Sequence, residues 1–130
     1  GKKSTKGGYY LHLQPGNESM VAGGIYMPTP EMLKMIRQEI DYNPDALLSI
    51  IKNKTFKQVF GEITGEKLKR IPQGYQEDHP HADLLKLKSY IVVHSFKDKD
   101  VIAVNFQKEV LKYFRGIKPL NDYLNSAVEE

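Results

Sequence analysis

The segment 9-YYLHLQPGNESMVAGGIYM-27 limits the possible folds more than any other part of the chain. In 9-YYLHLQ-14, Tyr9, Leu11 and Leu13 alternate with Tyr10, His12 and Gln14, the two-residue period of a strand with one inward face. Residues 15-PGNES-19 have turn composition and 20-MVAGGIYM-27 reads as a returning strand, so the pair predicts an antiparallel hairpin. Gly23 and Gly24 inside the second strand predict a bulge or a close backbone approach.

Helices follow. Thr29 is placed to cap a helix opened by Pro30, whose missing N–H costs nothing at the first helical position, and Met32, Leu33, Ile36 and Ile40 then share one face. Asn43-Pro44 repeats the device and separates a second helix over 44–52, because the residue before proline is pushed out of the α region. A short third helix carries Phe56, Val59 and Phe60 and ends at Gly61. Residues 62–76, with Gly65, Pro72 and Gly74, read as loop, and 90-YIVVHSF-96 alternates as a third strand. Asp98-Lys99-Asp100 turns the chain. The spacing of Phe106, Val110, Tyr113 and Phe114 predicts a helix capped at Asn105 and stopped at Gly116; Pro119 opens a last helix with Leu120, Tyr123, Leu124 and Ala127 on one face. The expectation is an α+β domain in which a small antiparallel sheet (8–15, 19–27 and 90–96) packs on about five helices. Neither an internal repeat nor a heptad series is present.

A length of 130 residues fits a single domain, with the glycine- and lysine-rich residues 1–7 as a flexible lead-in. The absence of cysteine removes disulfide frameworks, thiolate nucleophiles and zinc–thiolate sites. No run approaches the roughly 20 apolar residues of a membrane span and no leader pattern opens the chain, so the expectation is a soluble, cytoplasmic protein. The net charge of +3 points toward nucleic acid only at first sight: Lys2, Lys3 and Lys6 carry the surplus, leaving 16 basic side chains against 16 acidic ones. A local excess remains between Lys52 and Arg70, where Lys52, Lys54, Lys57, Lys67, Lys69 and Arg70 outnumber Glu62 and Glu66; it is either a polyanion contact or a solvated face.

The familiar catalytic patterns are missing. The stretch 61-GEITGEKLKR-70 lacks the Gly-Lys-Ser/Thr ending of a phosphate loop, and no serine lies in a Gly-x-Ser-x-Gly elbow. Metal ligands must converge, yet His79 and His81 flank a proline and should diverge. His79 and Asp83 could share a face, and His12 could meet His94 if their strands paired in register. We expect neither a metal site nor a cofactor. In 77-EDHPHADLLKLKSY-90, Asp78 or His79 would end a loop, Pro80 would occupy the first helical turn, and Asp83 would sit at the positive end of the helix dipole. Capping leaves His79, Lys69, Arg70 and Lys88 unexplained, and polar residues on loops beside a rigid sheet are where binding usually resides. Asp78 could alternatively pair with Arg70 or Lys88.

Five segments in order, 8-GYYLHLQPG-16, 23-GGIYMP-28, 66-EKLKRIPQGYQEDHP-80, 84-LLKLKS-89 and 118-KPLNDYLN-125, resemble the bacterial and fungal family known as domain of unknown function 2461. The resemblance implies no established activity, cofactor or catalytic residue. It implies a further N-terminal portion ahead of the glycine–tyrosine strand, which would pack against this domain and make the present chain a C-terminal portion. Where the family usually carries a tryptophan in the glycine–glycine strand, this chain has Tyr26. The functional expectation is a binding module in which Lys69, Arg70, His79 and Lys88, with Tyr10, His12 and Tyr26, hold a small anionic or phosphate-containing ligand. The alternatives are an enzyme using Asp78 and His79 as an acid/base pair, and a structural or protein-interaction domain.

Overall fold

The computed structural model describes residues 6–129; Lys2, Lys3 and the rest of 1–5 in the expected lead-in lie outside the described residues. The elements run β1 (Gly8–His12), β2 (Ser19–Ile25), α1 (Pro30–Tyr42), α2 (Pro44–Ile51), α3 (Lys54–Phe60), α4 (Ala82–Leu85), β3 (Tyr90–Phe96), α5 (Asp98–Val101) and α6 (Phe106–Val128). The strands form one antiparallel sheet in the order β1-β2-β3, so the fold is α+β as the patterns predict.

Register assigns the faces. Tyr10 pairs with Ala22 and Ala22 with Val93, while Leu11 pairs with Val21 and Val21 with His94. Tyr10, His12, Met20, Ala22, Gly24, Ile91, Val93 and Ser95 therefore share one face, and Tyr9, Leu11, Val21, Gly23, Ile25, Val92, His94 and Phe96 the other. The second face carries the core. Ile25, Tyr90 and Val92 are buried with Ile36, Ile40, Leu47, Leu85, Leu87, Ile117, Leu120 and Leu124 from the helices and the 80s loop, while Val21 and Phe96 form a smaller cluster with Val110 of α6.

Both glycines of β2 are explained by close approach. A Cβ on Gly23 would overlap the Ile117 side chain, so its absence lets α6 lie on the sheet. Gly24 holds φ at 111°, and a Cβ there would overlap the Tyr90 carbonyl on β3. The N-terminal end of β1 is held by α6 as well: Gly7 N–H donates to Asn125 Oδ1 at 2.6 Å and Asn121 Nδ2 donates to the Gly8 carbonyl at 2.9 Å.

The helix start follows the sequence at α1, where Thr29 Oγ1 accepts from Met32 N–H at 3.2 Å; α3 is capped by Asn53, whose Oδ1 accepts from Phe56 N–H at 3.0 Å. At α2 the expected Asn43 side-chain cap is absent; its amide instead donates to Glu39, and its carbonyl accepts from the Tyr123 hydroxyl. The C-terminal region differs more. One helix runs through both Gly116 and Pro119, where the sequence predicts a stop and a restart. Gly116 is a packing residue, since a Cβ there would press on the Phe60 ring. Pro119 removes the N–H that the Arg115 carbonyl would accept, yet burial of Ile117, Leu120 and Leu124 on either side holds the helix together. Within the expected loop 62–76, Thr64 exchanges both backbone bonds with Ile91, and Leu68 N–H reaches the Lys86 carbonyl, so this segment lies along the outer edge of β3.

Candidate functional site

The helix-free face of the sheet carries an open, largely apolar concavity. Its floor is Ala22, Gly23, Gly24, Ile91 and Val93, and Tyr10, Tyr26 and Met20 rise around a concavity of about 530 Å³. Tyr10 is 54% exposed and Tyr26 74% exposed, and neither hydroxyl has a hydrogen-bond partner among the described residues. The His12 ring lies parallel to that of Tyr10 at 6.2 Å, with Nε2 against Gln14 Oε1 at 2.8 Å. A local device sets Tyr26. Met27 takes the left-handed φ of 49°, unusual outside glycine, and the buried Ser89 hydroxyl accepts from its N–H at 2.8 Å. That bond ends β2 and leaves Tyr26 at the rim.

His12 and His94 do not meet. They sit on opposite faces with β2 between their strands. His94 instead stacks on Tyr113 at 4.1 Å, with Nδ1 against the Val59 carbonyl at 2.9 Å. Burial pushes the Tyr113 phenol up, with the Glu109 and Asp100 carboxylates adding to the shift.

The stretch 77–90 is pinned onto α1. Arg37 Nε donates to the Leu85 carbonyl at 2.8 Å and its Nη2 to the Leu87 carbonyl at 3.0 Å, while the Tyr90 hydroxyl donates to the Leu84 carbonyl at 2.6 Å. One turn along α1, Asp41 Oδ1 meets His79 Nε2 at 2.8 Å, and His81 N–H donates to His79 Nδ1 at 3.0 Å. A backbone N–H can only donate, so Nδ1 is unprotonated and the Nε2–H donates to Asp41: the neutral tautomer is fixed by its partners. The ring, 14% exposed, also stands edge-on to Tyr75 at 6.0 Å. Burial, then Asp41, raises the Tyr75 phenol above its ordinary range.

The predicted cap at this helix is not formed. The helix begins only at Ala82, His81 is its N-cap without a side-chain bond, and Pro80 lies outside it. Asp78 is exposed and in no ion pair among the described residues, so neither proposed pairing with Arg70 or Lys88 exists; Glu77 instead approaches Lys86 at 3.9 Å and accepts from Ile71 N–H. Lys69, Arg70 and Lys88 are exposed and unpaired among the described residues. The expected set thus divides. Tyr10 and Tyr26 line the open-face concavity with His12 stacked on Tyr10, whereas Lys69, Arg70, His79 and Lys88 are not among its lining residues. Of the local basic excess, Lys52, Lys57 and Lys67 gather around a smaller concavity of about 220 Å³ together with Glu62 and Asp83. Three site residues escape a reading of the sequence: Arg37 and Asp41, whose signal is their four-residue spacing on α1, and Ser89, which carries none.

No group of three or more histidine and acidic residues suited to a metal occurs among the described residues. No helix is long and apolar enough to cross a membrane. Comparison with curated proteins and with solved structures finds no match. The motifs quoted above nonetheless have consistent work in this fold: Gly23-Gly24 admits α6 and β3, Asn121 and Asn125 hold Gly7-Gly8, and Pro80–Ser89 is clasped by Arg37, Asp41 and Tyr90. Residues 1–123 match the family described as conserved hypothetical protein (DUF2461), and the chain belongs to that family.

Proposed function

We propose that the protein is a binding module whose ligand lies on the open face of the sheet. The observation that carries this is the gathering of Tyr10 and Tyr26 around one apolar concavity, with His12 stacked on Tyr10 and two phenol hydroxyls left without partners among the described residues. At about 530 Å³ the space falls within the range of small-molecule sites, which are mostly apolar with a few placed polar groups. The ligand that fits is a planar, largely apolar body bearing an acceptor group. The anionic or phosphate group expected from the sequence would accept from Tyr10 and Tyr26, while Lys69, Arg70 and Lys88 contribute no contact.

The acid/base alternative finds less support, because both ring nitrogens of His79 are engaged and Asp78 is not one of their partners. The interaction alternative keeps one argument: a surface this apolar also suits the further N-terminal portion that the family resemblance implies, packed across the same floor. A thermal-shift series separates the readings. Naphthalene sulfonates and aryl phosphates should raise the melting temperature, inorganic phosphate should not, and Tyr10→Ala with Tyr26→Ala should abolish the shift. A shift produced equally by inorganic phosphate, or one that survives both substitutions, defeats the proposal.

A further inference from the structure

The two edges of the sheet are treated differently. The outer edge of β3 is paired by Thr64, with Glu66 and Leu68 bonding the chain just before it. Among the described residues nothing lies along the outer edge of β1. Which groups that edge offers follows from the ladder. Ile91 exchanges its N–H and C=O with Thr64, so on β3 it is Tyr90, Val92, His94 and Phe96 that bond to β2. Their partners Ile25, Gly23, Val21 and Ser19 face β3, which leaves Gly24, Ala22 and Met20 to bond Gly8, Tyr10 and His12. The N–H and C=O groups of Tyr9 and Leu11 therefore point outward, unpaired.

Natural sheets guard such an edge with lysine, proline or a bulge. The stretch Gly8–Gln14 has no charged residue and no proline, and Tyr9, Tyr10, Leu11 and Leu13 are all exposed. We propose that β1 pairs antiparallel with β1 of a second copy, joining two three-stranded sheets into one of six strands about a two-fold axis through Tyr10. The strand is complementary to itself in that register. Tyr9 exchanges both backbone bonds with Leu11 of the partner subunit, and Leu11 does so with the partner's Tyr9, giving four hydrogen bonds from the four outward donors and acceptors of each pair of residues. Side chains agree: Tyr10 stands beside the partner's Tyr10 on the open face, Tyr9 lies opposite the partner's Leu11 on the helix face, and no like charges meet. A peptide partner would need the same uncharged alternation, which this chain already supplies.

Sedimentation equilibrium across micromolar to millimolar protein tests the pairing. The wild-type chain should move toward twice the monomer mass. Leu11→Pro removes an outward N–H while sparing the β1–β2 ladder, a position where an edge strand tolerates proline; it should remain folded by circular dichroism and stay monomeric. Leu11→Lys keeps the backbone but sets lysines near one another, and should also be monomeric. Tyr10→Cys in this cysteine-free chain should oxidise to a covalent dimer, because directly opposed residues in a non-hydrogen-bonded pair lie about 4.5 Å apart at Cα. A wild-type chain that is monomeric at every concentration, or a dimer that persists in both Leu11 variants, overturns the proposal.

Discussion

Replacing His79 by alanine removes two hydrogen bonds and an edge-on ring contact from the segment that joins α1 to β3. Loss of the acceptor leaves the part-buried His81 N–H unpaired, worth about 0.5–1.5 kcal/mol. The bond to the Asp41 carboxylate would be worth more in a dry site, but Asp41 is 36% exposed, so solvent screening brings it to about 1 kcal/mol. The contact with Tyr75 adds about 0.5–1 kcal/mol. The expected destabilisation is therefore ~2–3.5 kcal/mol in urea titrations followed by circular dichroism, with a fall in melting temperature of roughly 10 °C. Two further variants divide the effect. Asparagine places its oxygen near Nδ1 and should keep the His81 bond; glutamine reaches toward Nε2 and should keep the Asp41 bond. Each should lose about half as much as alanine. In a double-mutant cycle Asp41→Ala should cost about as much in the His79→Gln background as in the wild type, and almost nothing in the His79→Ala background. If His79→Ala costs less than about 0.5 kcal/mol, the ring does not hold this segment and the assignment of a structural role is wrong.

Gly24→Ala must force a Cβ against the Tyr90 carbonyl at a positive φ, so it should destabilise by more than about 3 kcal/mol or prevent folding, read from expression and thermal melts. Asn121, 1% exposed, donates to the Gly8 carbonyl; Asn121→Ala should cost about 1–3 kcal/mol and speed hydrogen exchange at the start of β1. Burial pushes the Tyr90 phenol well above the ordinary 10.0, against the opposing Arg37 charge, and does the same for Tyr123. The sign is then fixed: the folded state binds these protons more tightly, so stability is intact below pH 10 and falls as pH rises beyond it. Urea midpoints between pH 9 and 12 should decline, and Tyr90→Phe, itself destabilising because the Leu84 carbonyl keeps only the 3.4 Å bond from Leu87 N–H, should flatten that decline.

The elements legible in the sequence are those fixed by local chemistry. The two-residue period gave the alternation of faces on both β1 and β3; on β3 it also gave the buried set Tyr90, Val92 and Phe96, because a pleated strand under a helix layer has only one way to bury its apolar side chains. Thr29-Pro30 marks a helix start because the threonine side chain satisfies an N–H group three residues on. What could not be read depends on contacts distant in sequence. Gly116 and Pro119 are strong local stop and start signals, overridden by a row of leucine and isoleucine side chains packed on Gly23 and the helices. The acids and proline of 77–90 read as a helix start, yet the segment is held by Arg37 on the Leu85 and Leu87 carbonyls and by Asp41 on His79, from a helix far earlier in the chain. For the candidate site, the alternation of β1 puts Tyr10 on one sheet face, whereas Lys69, Arg70 and Lys88, expected to join it, do not line the concavity there.

A nitrogen-edited NMR titration with an aryl phosphate reads where the ligand sits on the protein. Binding on the open sheet face gives saturable shifts at Tyr10, Ala22, Tyr26, Ile91 and Val93, with the amides of Lys69, Arg70, His79 and Lys88 unmoved. Shifts confined to Lys69, Arg70, His79 and Lys88, with the sheet face silent, would contradict it.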